Sequence, residues 1–367
     1  MPPRGHARRA AREVRAAGII ARSSAQAEPV TATPNAEALT AYLDEHVPAI
    51  RGPLSIEPLT GGQSNPTFRI RTAERSYVLR KQPAGALLPS AHAVDREYRV
   101  MTALAATDVP VPRTYCYCDD RSVIGTPFFV MDFADGRQFF DPALPELSIP
   151  ERTALWDDIN ATIARLHTVD YAAIGLADYG RPGNYFARQI ARWSKQYQAS
   201  QTETIASMDR LIEWLPLNII ADDATSIVHG DFRLDNLIVH RTEPRVVAVL
   251  DWELSTLGHP LADFSYHAMV WRVTREQFRG MAGTDFTAAG IPTERDYVDR
   301  YCARTGRERI DPVEWQFCVV FSMFRLAAIL QGIAKRALIG TSADTRAAEV
   351  GRQARVIADA AWQQVRA

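Results

Sequence analysis

The stretch IVHGDFRLDNLIVHRTEPRVVAVLDW, residues 227–252, sets Asp231 and Asn236 five positions apart and places Asp251 fifteen residues further on. Phosphoryl transfer from a nucleotide asks a protein for these three groups. One carboxylate receives the proton of the attacking hydroxyl, and an amide plus a second carboxylate hold Mg²⁺ against the phosphates. Apolar residues frame them: Ile227 and Val228 precede the loop, Leu237 to Val239 follow it, Arg241 to Pro244 read as a polar turn, and Val246 to Leu250 form a second apolar run. The pattern predicts a strand–loop–strand element with Asp251 leaving the end of a buried strand. An Asp-rich turn between ordinary strands accounts for HGD alone, but not for Asn236 and Asp251 as well.

The five-residue spacing is that of the protein-kinase catalytic loop, H-R-D-x-x-x-x-N. H-G-D-F-R-L-D-N followed by L-D-W-E strongly resembles the aminoglycoside phosphotransferase superfamily of small-molecule kinases, whose metal carboxylate sits in a variant of D-F-G. Further stretches are similar to the branch that includes the kinase-like N-terminal domain of acyl-CoA dehydrogenase family members 10 and 11. They are LTGGQSN at 59–65, YVLRKQPAGALL at 77–88, SAHAVDREY at 90–98, Met131 to Phe133, and GIAKRA at 332–337, so the resemblance covers about residues 45–345. It implies an α+β, protein-kinase-like fold of two lobes: a small β-rich, nucleotide-binding N-lobe over 39–133 and a larger helical C-lobe over 134–367, after a tail over 1–38.

The rest of a nucleotide site is then expected in the N-terminal half. Gly61, Gly62, Gln63, Ser64 and Asn65 lie between two β-rich segments, Leu54 to Leu59 and Thr67 to Ile70. Glycines there let backbone amides approach phosphate oxygens, although G-G between strands reads equally as a hairpin turn. Period-two alternation puts Val78 and Arg80 on one strand face, so Arg80 stands where kinases carry the phosphate-binding Lys. Arg and Lys are not interchangeable at a tight site, and the neighbouring Lys81 would serve if the strand carried a bulge. Glu97 is the expected partner of Arg80, because Val94 to Leu104 reads as a helix; a surface pair with Arg96 or Arg99 is the plainer reading. The resemblance assigns adenine binding to the hinge at Met131 to Phe133, where Met131 also reads as core.

Beyond the hinge the chain turns helical, with Leu155, Ile159, Thr162, Ile163 and Leu166 at helical spacing over Glu151 to His167. Between Arg181 and Trp214, Phe186, Ile190, Trp193 and Tyr197 form an apolar face while Arg188, Arg192 and Lys195 gather opposite. That basic face is either an acceptor-binding surface for an anionic substrate or a solvated helix face. The resemblance implies that Asp263, in HPLADFSYH, orders the catalytic loop and the helix it begins by accepting backbone amides, and His229, His259 and His267 are read as structural.

With 47% hydrophobic residues and a net charge of −1, the chain of 367 residues has core enough for two lobes. Basic residues are interspersed with acidic ones, which argues against a nucleic-acid partner. The apolar stretch Val319 to Ile333 carries Arg325 and reads as a buried helix, not a membrane span. Four cysteines, at 116, 118, 302 and 318, form no CxxC pair, which suggests a reducing, cytoplasmic compartment. The first 35 residues hold six arginines and no lysine, and read as a disordered tail or the product of a start codon set too early, with an organellar transit peptide as the alternative.

These readings predict an ATP- and Mg²⁺-dependent phosphotransferase acting on a hydroxyl of a small-molecule acceptor. Asp231 is the catalytic base, Arg233 steadies the transferring group or the acceptor, and Asn236 and Asp251 are the metal ligands. Gly61, Gly62, Ser64, Asn65, Arg80, Glu97, Met131 and Phe133 form the nucleotide site. The branch implies a hydroxyacyl-CoA acceptor; the alternatives are an aminoglycoside O-phosphotransferase and a nucleotide-binding module without turnover.

Overall fold

The computed structural model describes residues 33–59, 65–83, 93–340 and 347–366. Gly61, Gly62, Gln63 and Ser64 lie outside these residues.

The N-lobe is an antiparallel sheet of five strands in the order β1-β2-β3-β5-β4. The strands are β1 (Ser55–Pro58), β2 (Thr67–Arg71), β3 (Ser76–Lys81), β4 (Thr114–Cys118) and β5 (Phe128–Asp132), joined with helices α1 (Ala36–His46), α2 (Val94–Leu104) and α3 (Arg121–Ile124). Asn35 caps α1 by accepting the Ala38 N–H at 3.1 Å, so the N-lobe begins a few residues before the expected boundary at 39. Leu39 and Leu43 of α1 cover the outer face of the sheet over Phe68, Tyr77, Leu79 and Phe128. Each such side chain, once fully buried, stabilises the lobe by about 1.5–3 kcal/mol. The inner face carries Val78, Phe129 and Met131, and these join the core that continues into the C-lobe.

The C-lobe contains helices α4 (Ile149–Thr168), α5 (Tyr185–Ser200), α6 (Ala206–Trp214), α7 (Pro260–Ala268), α8 (Arg275–Phe278), α9 (Phe286–Ala289), α10 (Glu294–Thr305), α11 (Pro312–Leu338) and α12 (Ala347–Arg366). Two small antiparallel pairs lie among them. β6 (Ser226–Val228) pairs with β9 (Thr256–Gly258), and β7 (Leu237–Val239) with β8 (Val246–Val249). The predicted strand–loop–strand element is therefore two nested ladders, β7–β8 lying in sequence inside β6–β9, and they flank the functional loops.

The lone arginine at 325 does not cut the apolar run short. α11 extends from Pro312 to Leu338, started by Asp311, whose side chain accepts the Val313 N–H at 2.7 Å, and by Pro312 in the first turn. By length and composition it could cross a membrane, but 83% of its most apolar window is buried inside the protein. Arg188 departs from the expected basic face: its guanidinium donates to the carbonyls of Arg181 and Gly183 ahead of α5. Arg192 and Lys195 remain exposed.

Candidate active site

The loop after β6 is built around a buried carboxylate. Asp263 in the first turn of α7 accepts the His229 N–H at 2.7 Å and the Gly230 N–H at 2.9 Å, and meets His167 Nε2 at 3.2 Å. Burial alone would raise its carboxyl, but the hydrogen bonds and charge of His167 and His229 hold it below the usual carboxylate range. Gly230 turns the chain at φ +81, where an added Cβ would stand 2.6 Å from the Leu254 carbonyl oxygen. The next residue, Asp231, is thereby presented at the loop surface.

Asp231 is gripped from several directions. Arg233 donates Nε to Oδ1 at 2.8 Å and Nη2 to Oδ2 at 3.2 Å, and Asn236 donates Nδ2 to Oδ2 at 3.1 Å. The same Asn236 nitrogen reaches the Asp231 carbonyl at 2.8 Å, which spends the amide nitrogen and leaves the amide oxygen open to a cation. Arg233 continues to Asp235 at 3.2 Å. Burial disfavours the Arg233 charge, but Asp231 and Asp235 outweigh it and hold the guanidinium protonated above its ordinary value. Burial also pushes the Tyr266 hydroxyl up, reinforced by the charge of Asp231 beside it.

Leu250 splices the two halves together. Its N–H donates to the Asn236 carbonyl at 2.8 Å, and its own carbonyl meets His229 Nε2 at 2.9 Å. Asp251 follows in the left-handed region, φ +69, a conformation that Asp tolerates better than most side chains.

Across the lobe boundary Arg80 reaches this carboxylate, with Nη2 2.6 Å from Asp251 Oδ1. Its Nε pairs with Glu97 Oε2 of α2 at 3.0 Å, and Glu253 stands 3.8 Å away. Strand parity explains the choice of cation. Arg80 shares the inner face with Val78, whereas Lys81 turns outward, its ammonium 5.9 Å from the Phe68 ring centroid, and no bulge interrupts β3. Burial opposes the Arg80 charge, but Glu97, Asp251 and Glu253 outweigh it and raise the group further. Glu97 is pushed up to about 7 by burial, against the pull of Arg80 and with the repulsion of Asp251 and Glu253.

The structure redraws two nucleotide-site expectations. Asn65 is fully buried and donates Nδ2 to Glu97 Oε1 at 2.8 Å, so its side chain braces Glu97 instead of covering phosphates. Met131 lies inside β5 and is packed in the core, and the Asp132 N–H donates to the Arg113 carbonyl at 2.8 Å. The hinge thus starts at Phe133, whose ring lies 4.2 Å below the Arg69 guanidinium.

Three contributors escaped the sequence reading. Arg325, buried in α11, donates to the Gly230 carbonyl and lies 4.7 Å from the Tyr266 ring centroid. Asp235 receives Arg279 at 3.4 Å as well as Arg233. Glu253 adds a third carboxylate around Arg80. Only Arg325 had left a signal, as the single charge within an apolar run.

Residues 55–308 match the profile described as the phosphotransferase enzyme family. The chain belongs to that family. Mouse acyl-CoA dehydrogenase family member 10 is 46% identical over 313 residues, covering 85% of this chain and 29% of the relative. Rat family member 11 is 43% identical over 314 residues, covering 83% and 40%. The chain thus spans less than half the length of these curated relatives. A crystal structure from Ralstonia eutropha JMP134, described as a candidate aminoglycoside phosphotransferase, superposes with a TM-score of 0.84 at 53% identity, covering 91% of this chain and 98% of the other. The ternary complex of aminoglycoside phosphotransferase APH(4)-Ia with AMP-PNP and hygromycin B shares the fold, with a TM-score of 0.58 at 16% identity over 89% and 98% of the two chains.

The donor set fits Mg²⁺. Among the described residues no three His, Cys, Asp or Glu side chains gather into a metal cage. The pairing of one carboxylate, Asp251, with one amide oxygen, Asn236, suits an ion that takes one or two protein carboxylates and completes its shell with phosphate oxygens and water. The three acids around Arg80 leave an excess of negative charge there that a cation would offset.

Proposed function

We propose that this phosphotransferase moves the γ-phosphoryl group of ATP to a hydroxyl of a small metabolite, with Mg²⁺ as cofactor. The observation that carries the reading is the splice at Leu250, which brings Asn236 beside Asp251 while Asn236 itself touches Asp231. Base and cation ligands thereby occupy one rigid unit. Asp231 orients the acceptor hydroxyl and takes its proton late, because the transition state is loose and the nucleophile needs little activation. Arg233, bonded to both Asp231 oxygens, is close enough to follow charge onto the transferring group. Arg80 clamps the phosphates from the N-lobe while Glu97 fixes its direction. Bound between Asn236 and Asp251, Mg²⁺ would neutralise the phosphate charge.

A hydroxylated acyl derivative such as a hydroxyacyl-CoA is the acceptor class favoured by kinship with the acyl-CoA dehydrogenase relatives. Four buried, free cysteines support a reducing, cytoplasmic setting. The test is Mg²⁺-dependent ADP release against hydroxyacyl-CoAs, free hydroxy acids and kanamycin, with Asp231→Asn as control. Turnover with the acyl series that the variant loses is the expected result. Turnover with kanamycin alone would assign antibiotic phosphorylation, and nucleotide binding without turnover on any acceptor would reduce the chain to a binding module.

A further inference from the structure

Beside the Arg233–Asp235 pair the C-lobe encloses a cavity of about 50 Å³. Its walls are mostly apolar, with Trp156, Met269, Val270, Val273 and Phe278 among them. Its polar lining is Tyr266, His267 and part of the charged chain that begins at Asp231, of which Arg233, Asp235 and Arg279 face the cavity. Arg233 touches Asp231 at 2.8 Å and Asp235 at 3.2 Å, and Asp235 meets Arg279 at 3.4 Å. Each lining guanidinium thus already faces a carboxylate, and Asp235 is shared between the two arginines, so the cavity offers an ammonium no unshared carboxylate. Space of this kind holds water poorly, since a buried water wants two to four polar partners.

We propose that this cavity receives the alkyl tail of the acceptor, and that Met269, Val270, Val273 and Phe278 set its length. One water-sized group needs about 10–15 Å³ of such space, so the cavity accepts about three to five carbons beyond the carbon that bears the hydroxyl. Arg233 is the shared wall: one side of the residue addresses Asp231 and the other the tail, which ties chain length to the position of the hydroxyl. Phe278 closes one end. It is the last residue of α8, and Arg279 follows it in a left-handed turn at φ +46. Each methylene that enters should strengthen binding about fourfold, and carbons beyond the limit should add nothing until Phe278 is removed. The inference rests on the phosphotransferase reading for the identity of the ligand, but not for the existence of the tail site.

The experiment separates the two. Protein carrying ¹³C-methyl methionine is titrated with 3-hydroxybutyrate, 3-hydroxyhexanoate and 3-hydroxydecanoate, whose tails have one, three and seven carbons. The Met269 methyl signal is identified by its loss in Met269→Leu. ADP release is measured in parallel with the CoA thioesters of the same acids. Met269 should respond to the hexanoate at roughly fifteenfold lower concentration than to the butyrate, as two methylenes at about fourfold each require, and the gain at the decanoate should stop at about five tail carbons, no more than about another fifteenfold. In Phe278→Ala the gain should extend to the decanoate. A Met269 signal that stays silent, affinity that climbs steadily to the decanoate in the unmodified protein, or a Phe278→Ala profile identical to it would overturn the tail site. A responsive Met269 without ADP release would leave the tail site standing and sink the phosphotransferase reading; ADP release with a silent Met269 would do the reverse.

Discussion

Asp231 and Asp251 lie within one stretch of chain, yet opposite kinds of interaction hold them. The turn that carries Asp231 is fixed by main-chain groups: Asp263 takes the successive amides of His229 and Gly230 and Arg325 the Gly230 carbonyl that follows them, all within the C-lobe. Asp251 is held across the lobe boundary by a side chain, the Arg80 guanidinium. The base turn is therefore complete in one lobe by itself, whereas the cation half depends on the two lobes lying together. Charge differs in the same sense. The Asp231 region balances its ions, while Arg80 faces Glu97, Asp251 and Glu253 at once.

The largest effect should come from Asp231→Asn, which removes the base and leaves the Arg80 cluster untouched. Its kcat should fall by about 10² to 10⁴-fold in the ADP-release assay, with nucleotide affinity retained. A comparable fall in nucleotide affinity would merge the two regions into one. Asp263→Ala attacks the rigid turn by stripping two buried amides and His167 of their partner. Removing one side of such a buried network costs about 3–5 kcal/mol, readable as a lower urea midpoint.

Arg80→Lys keeps the charge and removes the fork that spans Glu97 and Asp251. A hydrogen bond to a charged group contributes about 1.5–3 kcal/mol, so nucleotide affinity should drop by about tenfold or more in a calorimetric titration, with the urea midpoint little changed. The smallest effect is a pH slope. Glu97 binds its proton more tightly folded, near 7, than at its ordinary value of 4.5. Its contribution to stability is thus fully present below about pH 4.5 and fades as pH rises through about 7. His259 and His267, both pressed down to about 4 by burial, slope the opposite way, so the useful quantity is the difference between the protein and Glu97→Gln. That difference should change between pH 5 and pH 8 in favour of the variant; a constant difference would show that Glu97 is ionised throughout.

What the sequence disclosed follows the same division. Asp231, Asn236 and Asp251 were legible because a loop between short strands fixes their spacing, and Arg80 because strand alternation leaves one parity for the inner face. The fold class was legible from the same loop and from the β-rich half ahead of it. Asn65 misled because a residue beside two glycines looks like part of a phosphate loop, and only the packing of α2 reveals that it braces Glu97. Glu253 and Asp235 were hidden by ordinary spacing: each is one acid among 43 acidic residues, and its partner arrives from a distant segment. The N-lobe boundary at 39 falls inside α1 because Asn35 announces that helix with a cap and not with an apolar pattern.

The contact between Gly230 and Leu254 has a consequence for how this protein can be recombined. With no room for even a methyl group between the two turns, neither can be exchanged for a counterpart shaped by different neighbours. A chimera could import a foreign residue at position 80 on the sheet, since Arg80 reaches the Asp251 turn through its side chain. Residues 230–254 would have to travel as a single block, inherited whole or not at all.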